Sequence, residues 1–295
     1  MSRRSAHLGA IPGLAGKFPE AASLAMFGQI CFNRWFELEV ARVYDTGVIK
    51  APVYLSVGQE HIPAAIAAAS TDFLIFAQHR AHSYYLSFGG DPGALVDELL
   101  HRPTGCAGGM GGSASIHDPR IGMFGHSGLM GDQVPIAVGA ALGSGRRVLT
   151  VMGDAAGEED YVASAMGYAA TKRLPVLFVC EDNDLSILTP VATRRSWLLT
   201  DVARAVGLAA VDITDDPWLI AQHAAELPLP AFMNVRTCRQ LWHAGTGNDG
   251  DPEWDRFALT KETLAGLGLA REAAAVEEEA RRRAARAWDE RLPRP

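Results

Sequence analysis

Apolar positions change period several times along the chain. From Pro19 to about Thr46, the residues Phe27, Ile30, Cys31, Trp35, Leu38 and Ala41 recur on one face, which predicts an amphipathic helix. Residues 61–69 read as a short alanine-rich helix, Phe73 to Ala77 as a strand and 92–101 as a helix. A small-residue helix follows at 132–143. The runs Val148-Leu149-Thr150-Val151-Met152 and Val176-Leu177-Phe178-Val179-Cys180 are β-branched and almost continuously apolar, as strands covered on both faces are. Between them Glu158 to Thr171 reads as a helix whose N-terminus would point at an anion. Beyond lie a helix from Asp201 to Val206, a strand from Ala209 to Ile213, a helix from Pro217 to Glu226 and a strand from Phe232 to Cys238. Residues 261–288 read as one charged helix. This alternation predicts an α/β fold, a doubly wound, mostly parallel sheet flanked by helices. No Pro- or Ser-rich linker splits it. The expected layout is a flexible N-terminal segment (1–17), one α/β domain (18–260) and a C-terminal helical extension (261–295) packed on the domain or on a partner. The glycine-dense loop 105–112 is expected to order only on a ligand or partner.

The two buried strands end on chemistry. Gly153-Asp154-Ala155 closes one, and Glu181-Asp182-Asn183 closes the other. In a βαβ unit, ligands sit at the carboxyl ends of the strands. A carboxylate and a side-chain amide there are hard oxygen donors suited to a Mg²⁺ that arrives with a diphosphate. An ordinary βαβ unit whose Asp and Asn only make turns has the same spacing. Gly143 and Gly145 precede the strand rather than follow it, the wrong order for a dinucleotide-binding loop.

Composition narrows the class. The chain has 295 residues, 48% of them hydrophobic, enough for a large core. A net charge of −7 argues against a general nucleic-acid surface. No long uncharged apolar stretch predicts a membrane span, and Met1-Ser2-Arg3-Arg4-Ser5 lacks the apolar core of a secretory signal, so a cytoplasmic protein is expected. The four cysteines show no C-x-x-C pairing and read as reduced, packed thiols.

Further segments accompany the strand ends in a fixed order. They are Tyr54-Leu55-Ser56-Val57-Gly58-Gln59-Glu60, then His79-Arg80-Ala81-His82, then Gly105-Cys106-Ala107-Gly108-Gly109-Met110-Gly111-Gly112-Ser113, then Gly128-Leu129-Met130-Gly131-Asp132-Gln133-Val134-Pro135. In this the chain resembles the α subunit of the thiamine-diphosphate-dependent 2-oxo-acid dehydrogenases, over residues 20 to 245. The resemblance implies the diphosphate-binding module of the thiamine-diphosphate fold. It implies that Asp154 and Asn183 bind Mg²⁺ by their side chains and Leu185 by its carbonyl. Arg80 and His79 would meet the diphosphate, with Gly153, Ala155 and Ala156 offering backbone contacts. Gly128 and Met130 would contact the aminopyrimidine. Tyr54 and His82 would line the pocket, and His243 would donate a proton or hold the substrate carboxylate. A separate β subunit, in an α₂β₂ assembly, would supply the glutamate that activates the cofactor. The acyl group would pass to the lipoyl arm of an acyltransferase.

Departures from the family pattern matter. Ala155 replaces a glycine and needs a negative φ. His79 stands where tyrosine is common. Glu158-Glu159-Asp160 is unusually acidic and disfavours a second anion, so simple pyruvate is not implied as substrate. Residues 244–256 lack the serine-bearing loop of kinase-regulated members, so no control of that type is expected. A split carboligase or transketolase-like transferase, passing the carbanion to an aldehyde, remains an alternative, as does a non-catalytic binding subunit.

Overall fold

Helix and strand alternate through a computed structural model that describes residues 5–292. In chain order the elements are α1 (Glu20–Asp45), α2 (His61–Ala69), β1 (Leu74–Phe76), α3 (His82–Ser87), α4 (Pro92–Leu99), β2 (Met123–Phe124) and α5 (Gln133–Ser144). Then come β3 (Val148–Gly153), α6 (Asp160–Lys172), β4 (Val176–Asp182), β5 (Leu185–Ser186), β6 (Thr189–Pro190), α7 (Val191–Arg194) and α8 (Leu199–Ala205). The chain finishes with β7 (Ala209–Thr214), α9 (Pro217–Glu226), β8 (Ala231–Arg236), α10 (Arg256–Gly266) and α11 (Ala270–Asp289).

Six strands form one parallel sheet in the order β2-β1-β3-β4-β8-β7, and β5 pairs with β6 in a small antiparallel hairpin. Alternate side chains leave opposite faces of a strand, so an all-apolar strand feeds two cores. Leu149, Val151, Leu177, Val179, Met233 and Val235 enter the core shared with α1, α2, α4 and α9. Val148, Met152, Val176, Phe178, Cys180 and Phe232 enter the core beneath α5, α6 and α8. The β3–β4 register pairs Gly153 with Glu181, which sets the two chemical strand ends side by side.

Helix starts follow capping chemistry. Asp91 accepts the Ala94 N–H at 2.8 Å and Asp216 the Leu219 N–H at 3.0 Å, each with a proline at the first helical position. On α11, Ala273, Ala280, Ala284 and Trp288 form the buried stripe of an otherwise charged helix. That stripe lies along α1, with the Trp288 ring 5.8 Å from that of Phe36.

Two helix expectations are corrected, and two further segments show contacts that the sequence does not mark. The single helix over 261–288 is two helices, broken where Gly268 takes φ +81°, a left-handed turn that glycine adopts without strain. The helix expected from Glu158 begins only at Asp160. A single tight turn, Ala156–Glu158, comes first, and Glu159 is extended (ψ 139°), so α6 does not open on the strand end. Of the segment 1–17, residues 1–4 lie outside the described residues. In the remainder the Leu8 carbonyl accepts the Thr214 N–H at 2.9 Å, Arg256 donates to the Ala6 carbonyl, and Leu14 is buried.

The glycine loop is the second of these segments. A carboxylate of the chain itself meets its backbone. Fully buried Glu98 accepts backbone N–H groups from Ala107 and Gly109 on one oxygen and from Gly111 and Gly112 on the other, all at 2.7–3.0 Å. The approach is so close that a Cβ at Gly105 would lie 2.4 Å from Glu98 Oε2. Replacing Glu98 by Ala leaves four backbone donors unmet, two of them buried. It should lower unfolding free energy by roughly 3 kcal/mol or more and strip hydrogen-exchange protection from Gly109 to Gly112. Denaturant titration and exchange mass spectrometry check this; unchanged protection would show that the loop is held by something else.

Candidate active site

A cavity of about 410 Å³ opens at the carboxyl ends of β1, β3 and β4. Its floor is the β3–β4 pair. Asp154 follows β3 directly and is 2% exposed; Asn183 follows β4. One Asp154 oxygen, Oδ1, takes a hydrogen bond from Arg194 at 3.1 Å, and the other, Oδ2, is buried with no hydrogen-bond partner. Burial, and next the neighbouring Asp182 carboxylate, push the Asp154 carboxyl up to about 7. A buried oxygen without a donor beside a second carboxylate is a place short of positive charge, and a divalent cation fits it. Asn183 donates its amide to Gln59 Oε1 at 2.8 Å, while its own Oδ1 accepts the Leu185 N–H at 3.1 Å. Among the described residues no three His, Cys, Asp or Glu side chains are grouped to hold a metal. The protein can therefore offer Asp154, Asn183 and a backbone carbonyl, leaving other positions to ligand oxygens or water, as Mg²⁺ sites usually do.

The next wall is cationic. Arg80, 2% exposed, follows β1. It donates Nη1 to the Leu55 carbonyl at 2.9 Å and Nη2 to the His243 carbonyl at 2.9 Å, and Nη2 also lies 3.2 Å from His243 Nδ1. A guanidinium cannot accept, so His243 Nδ1 is the acceptor there and the ring proton resides on Nε2. Burial first, then Arg80 and Arg239, push the His243 imidazole down to about 4. His79 stands between, its ring 5.0 Å from Tyr54 and 5.6 Å from His243, with both ring nitrogens buried and unpartnered. Burial, then the Arg80 charge, hold it well below the ordinary histidine range.

The mouth is lined by Gly128, at φ +100°, and by the half-exposed Met130. Gly153, Ala155 and Ala156 complete the cradle. Ala155 has φ −75°, so its Cβ is accommodated without strain. The cavity thus brings together every residue singled out from the sequence except His82. That ring is fully buried away from it, with Nδ1 2.9 Å from Glu37 Oε2 and Nε2 2.9 Å from Ser113 Oγ. Ser113 Oγ accepts the Tyr54 N–H at 2.9 Å, so His82 reaches the cavity only through Tyr54.

Sequence reasoning missed several lining groups: Gln78, His126, Ser186, Ile187 and Arg239. Gln78 adjoins a named motif, and Arg239 follows β8 as Arg80 follows β1, a positional signal that was available. His126 gave none. Beneath them Glu181 is fully buried, accepting from Tyr84 at 3.0 Å and from Gln78. Burial pushes its carboxyl up to about 7.

Comparison with known proteins places this architecture. Residues 31–225 match the family model described as "Dehydrogenase E1 component". The pyruvate dehydrogenase E1 component subunit alpha of Rickettsia bellii is 28% identical over 235 residues, covering 74% of this chain and 72% of that protein. The mitochondrial counterpart from Chaetomium thermophilum is 33% identical over 183 residues, 60% of this chain and 43% of that one. Among solved structures, a transketolase from Campylobacter jejuni superposes with a TM-score of 0.55 over 88% of this chain. At 15% identity, with the chain spanning 48% of that protein, this likeness shows the fold alone. With the match running from inside α1 to the end of α9, the chain belongs to the dehydrogenase E1 component family, as an α-type chain of the thiamine-diphosphate-dependent 2-oxo-acid dehydrogenases.

Proposed function

We propose that the chain holds the Mg-diphosphate half of thiamine diphosphate in a heteromeric enzyme that decarboxylates a 2-oxo acid and passes the acyl group to a lipoyl carrier. The observation that carries this is the donor-free Asp154 oxygen beside Asn183 and Leu185, facing the buried guanidinium of Arg80 across one cavity. Asp154, Asn183 and the Leu185 carbonyl would hold the metal. Arg80 and His79 would meet the diphosphate oxygens, with the backbone of Gly153, Ala155 and Ala156 alongside. When bound, thiamine diphosphate supplies the electron sink that decarboxylation of a 2-oxo acid requires.

The chain's own residues then orient and shuttle. Arg80 is held by two carbonyls, so its fork is fixed before an anion arrives. His243, neutral with its proton on Nε2, is poised to donate that hydrogen to the substrate carboxylate. Gly128 and Met130 offer backbone to the aminopyrimidine ring, and Tyr54 walls the substrate side.

A β-type partner is part of the reading. The outward face of α5 carries Ile136 at 55% and Leu142 at 51% exposure, with Leu129 at 60% beside it, and no charged side chain among residues 133–144. A helix with an uncharged outer face that follows the cavity-lining Gly128 and Met130 suits a covering subunit. No helix of the described residues is long and apolar enough to cross a membrane.

Two measurements test this. Calorimetric titration of the full chain, with its β-type partner, should show thiamine diphosphate binding that depends on Mg²⁺ and weakens at least ~100-fold in Asp154→Ala. Metal-independent binding, or an unaffected variant, would refute the site. Imidazole titration by NMR should place the His243 midpoint near 4, returning toward the ordinary histidine value in Arg80→Gln. Since the fold holds His243 neutral while the unfolded chain protonates it normally, acid should withdraw this contribution to stability from about pH 6.5 downward. An ordinary midpoint in the native chain would contradict the assigned tautomer.

A further inference from the structure

Glu158, Arg194 and Arg195 take no part in the reading above, yet they are built onto its metal carboxylate. The Arg194 side chain is 12% exposed; it donates Nη2 to Asp154 Oδ1 at 3.1 Å and Nη1 to Glu158 Oε1 at 2.5 Å. Arg195, 3% exposed, donates Nη1 to the same Glu158 oxygen and to the Asp154 backbone carbonyl at 2.8 Å. Both arginines end the stretch that starts at β5 with Leu185 and runs through the β5–β6 hairpin and α7. Trp197 lies immediately beyond, 43% exposed, with the Arg195 guanidinium 5.4 Å from its ring centre.

Asp154 is therefore half neutralised, one oxygen on a guanidinium and the other without a donor. A divalent ion on Oδ2 would place a second, larger positive charge within a few ångströms of Arg194, and in a buried site that repulsion is poorly screened. The guanidinium has somewhere to go. Glu158 already holds its other nitrogen, and Glu159 lines the same cavity.

We propose that Arg194 is the resident counter-cation of Asp154, and that metal binding transfers it wholly to the Glu158–Glu159 carboxylates, shifting the segment from Leu185 to Trp197. The inference rests on the metal site proposed above. It gives the acidic triplet a task, which is to receive an arginine, and it makes Arg194 an antagonist of the metal rather than a support for it. Arg194 is a positioning residue: it acts on the metal through Asp154.

The test is calorimetric titration of the full chain with its β-type partner, at fixed thiamine diphosphate, using Mg²⁺ as the probe. Arg194→Gln should bind Mg²⁺ about tenfold more tightly than the native chain, and Arg194→Lys, which keeps the charge, should return close to the native value. A merely structural arginine would weaken the site when removed. In the native chain Mg²⁺ should also change the Trp197 emission, read as the difference from Trp197→Phe. That reading decides the matter if Arg194→Gln fails to fold. Equal or weaker Mg²⁺ binding by a folded Arg194→Gln, or a silent Trp197 while metal binds, overturns the exchange and leaves the metal site standing. No Mg²⁺ binding by any of these chains overturns both.

Discussion

A carboxylate taken out of water must find compensating positive charge or give up its own. Asp154 is the point where this chain meets that constraint, and much of the site is arranged around it. The parallel register of β3 and β4 brings Gly153 level with Glu181, so Asp154, Asp182 and Asn183 crowd into one corner at the carboxyl edge of the sheet. Arg236 and Asn234 of β8 satisfy Asp182, and Arg194 reaches one Asp154 oxygen. What is left over is one buried acceptor facing a cavity. The same geometry in a sheet with exposed strand ends would simply hydrate that oxygen.

A second layer of buried charge fixes the opposite wall. Arg80 is spent on carbonyls of two separate segments, Leu55 and His243, and so ties the loop after β8 to the stretch before α2. The histidine it contacts is thereby set in one tautomer. Glu37, His82, Ser113 and the Tyr54 backbone form a parallel chain behind the pocket, all hydrogen-bonded at 2.9 Å. These networks explain why a cavity formed from distant stretches of chain can keep a defined shape with few apolar contacts across it.

Five of the six sheet strands were legible, the central ones because they are buried on both faces and so nearly uninterrupted in sequence, whereas the two-residue edge strand β2 was not read. The strand ends were legible because a parallel βαβ unit leaves little freedom in where they lie. Helix boundaries were read less well where glycine or ion pairing decides them. Gly268 divides a charged helix that has no break in its periodicity, and Glu158 is drawn to two arginines instead of opening α6. His82 was misplaced for a related reason. Its motif spacing matches that of Arg80, but α3 begins at His82 and carries it into the core. His126, Arg194 and Arg195 were missed because nothing local marks them; they matter only through residues many positions away.

The glycine loop 105–112 carries a consequence of its own. Eight residues of little intrinsic preference are not usually enough to hold a shape, but here the carboxylate of Glu98 takes the place an anionic ligand would occupy in a phosphate-cradling loop. The chain carries its own anion. The loop has therefore surrendered its conformational entropy at folding instead of at encounter. Met110, at 89% the most exposed large apolar side chain among the described residues, is carried on this self-satisfied loop.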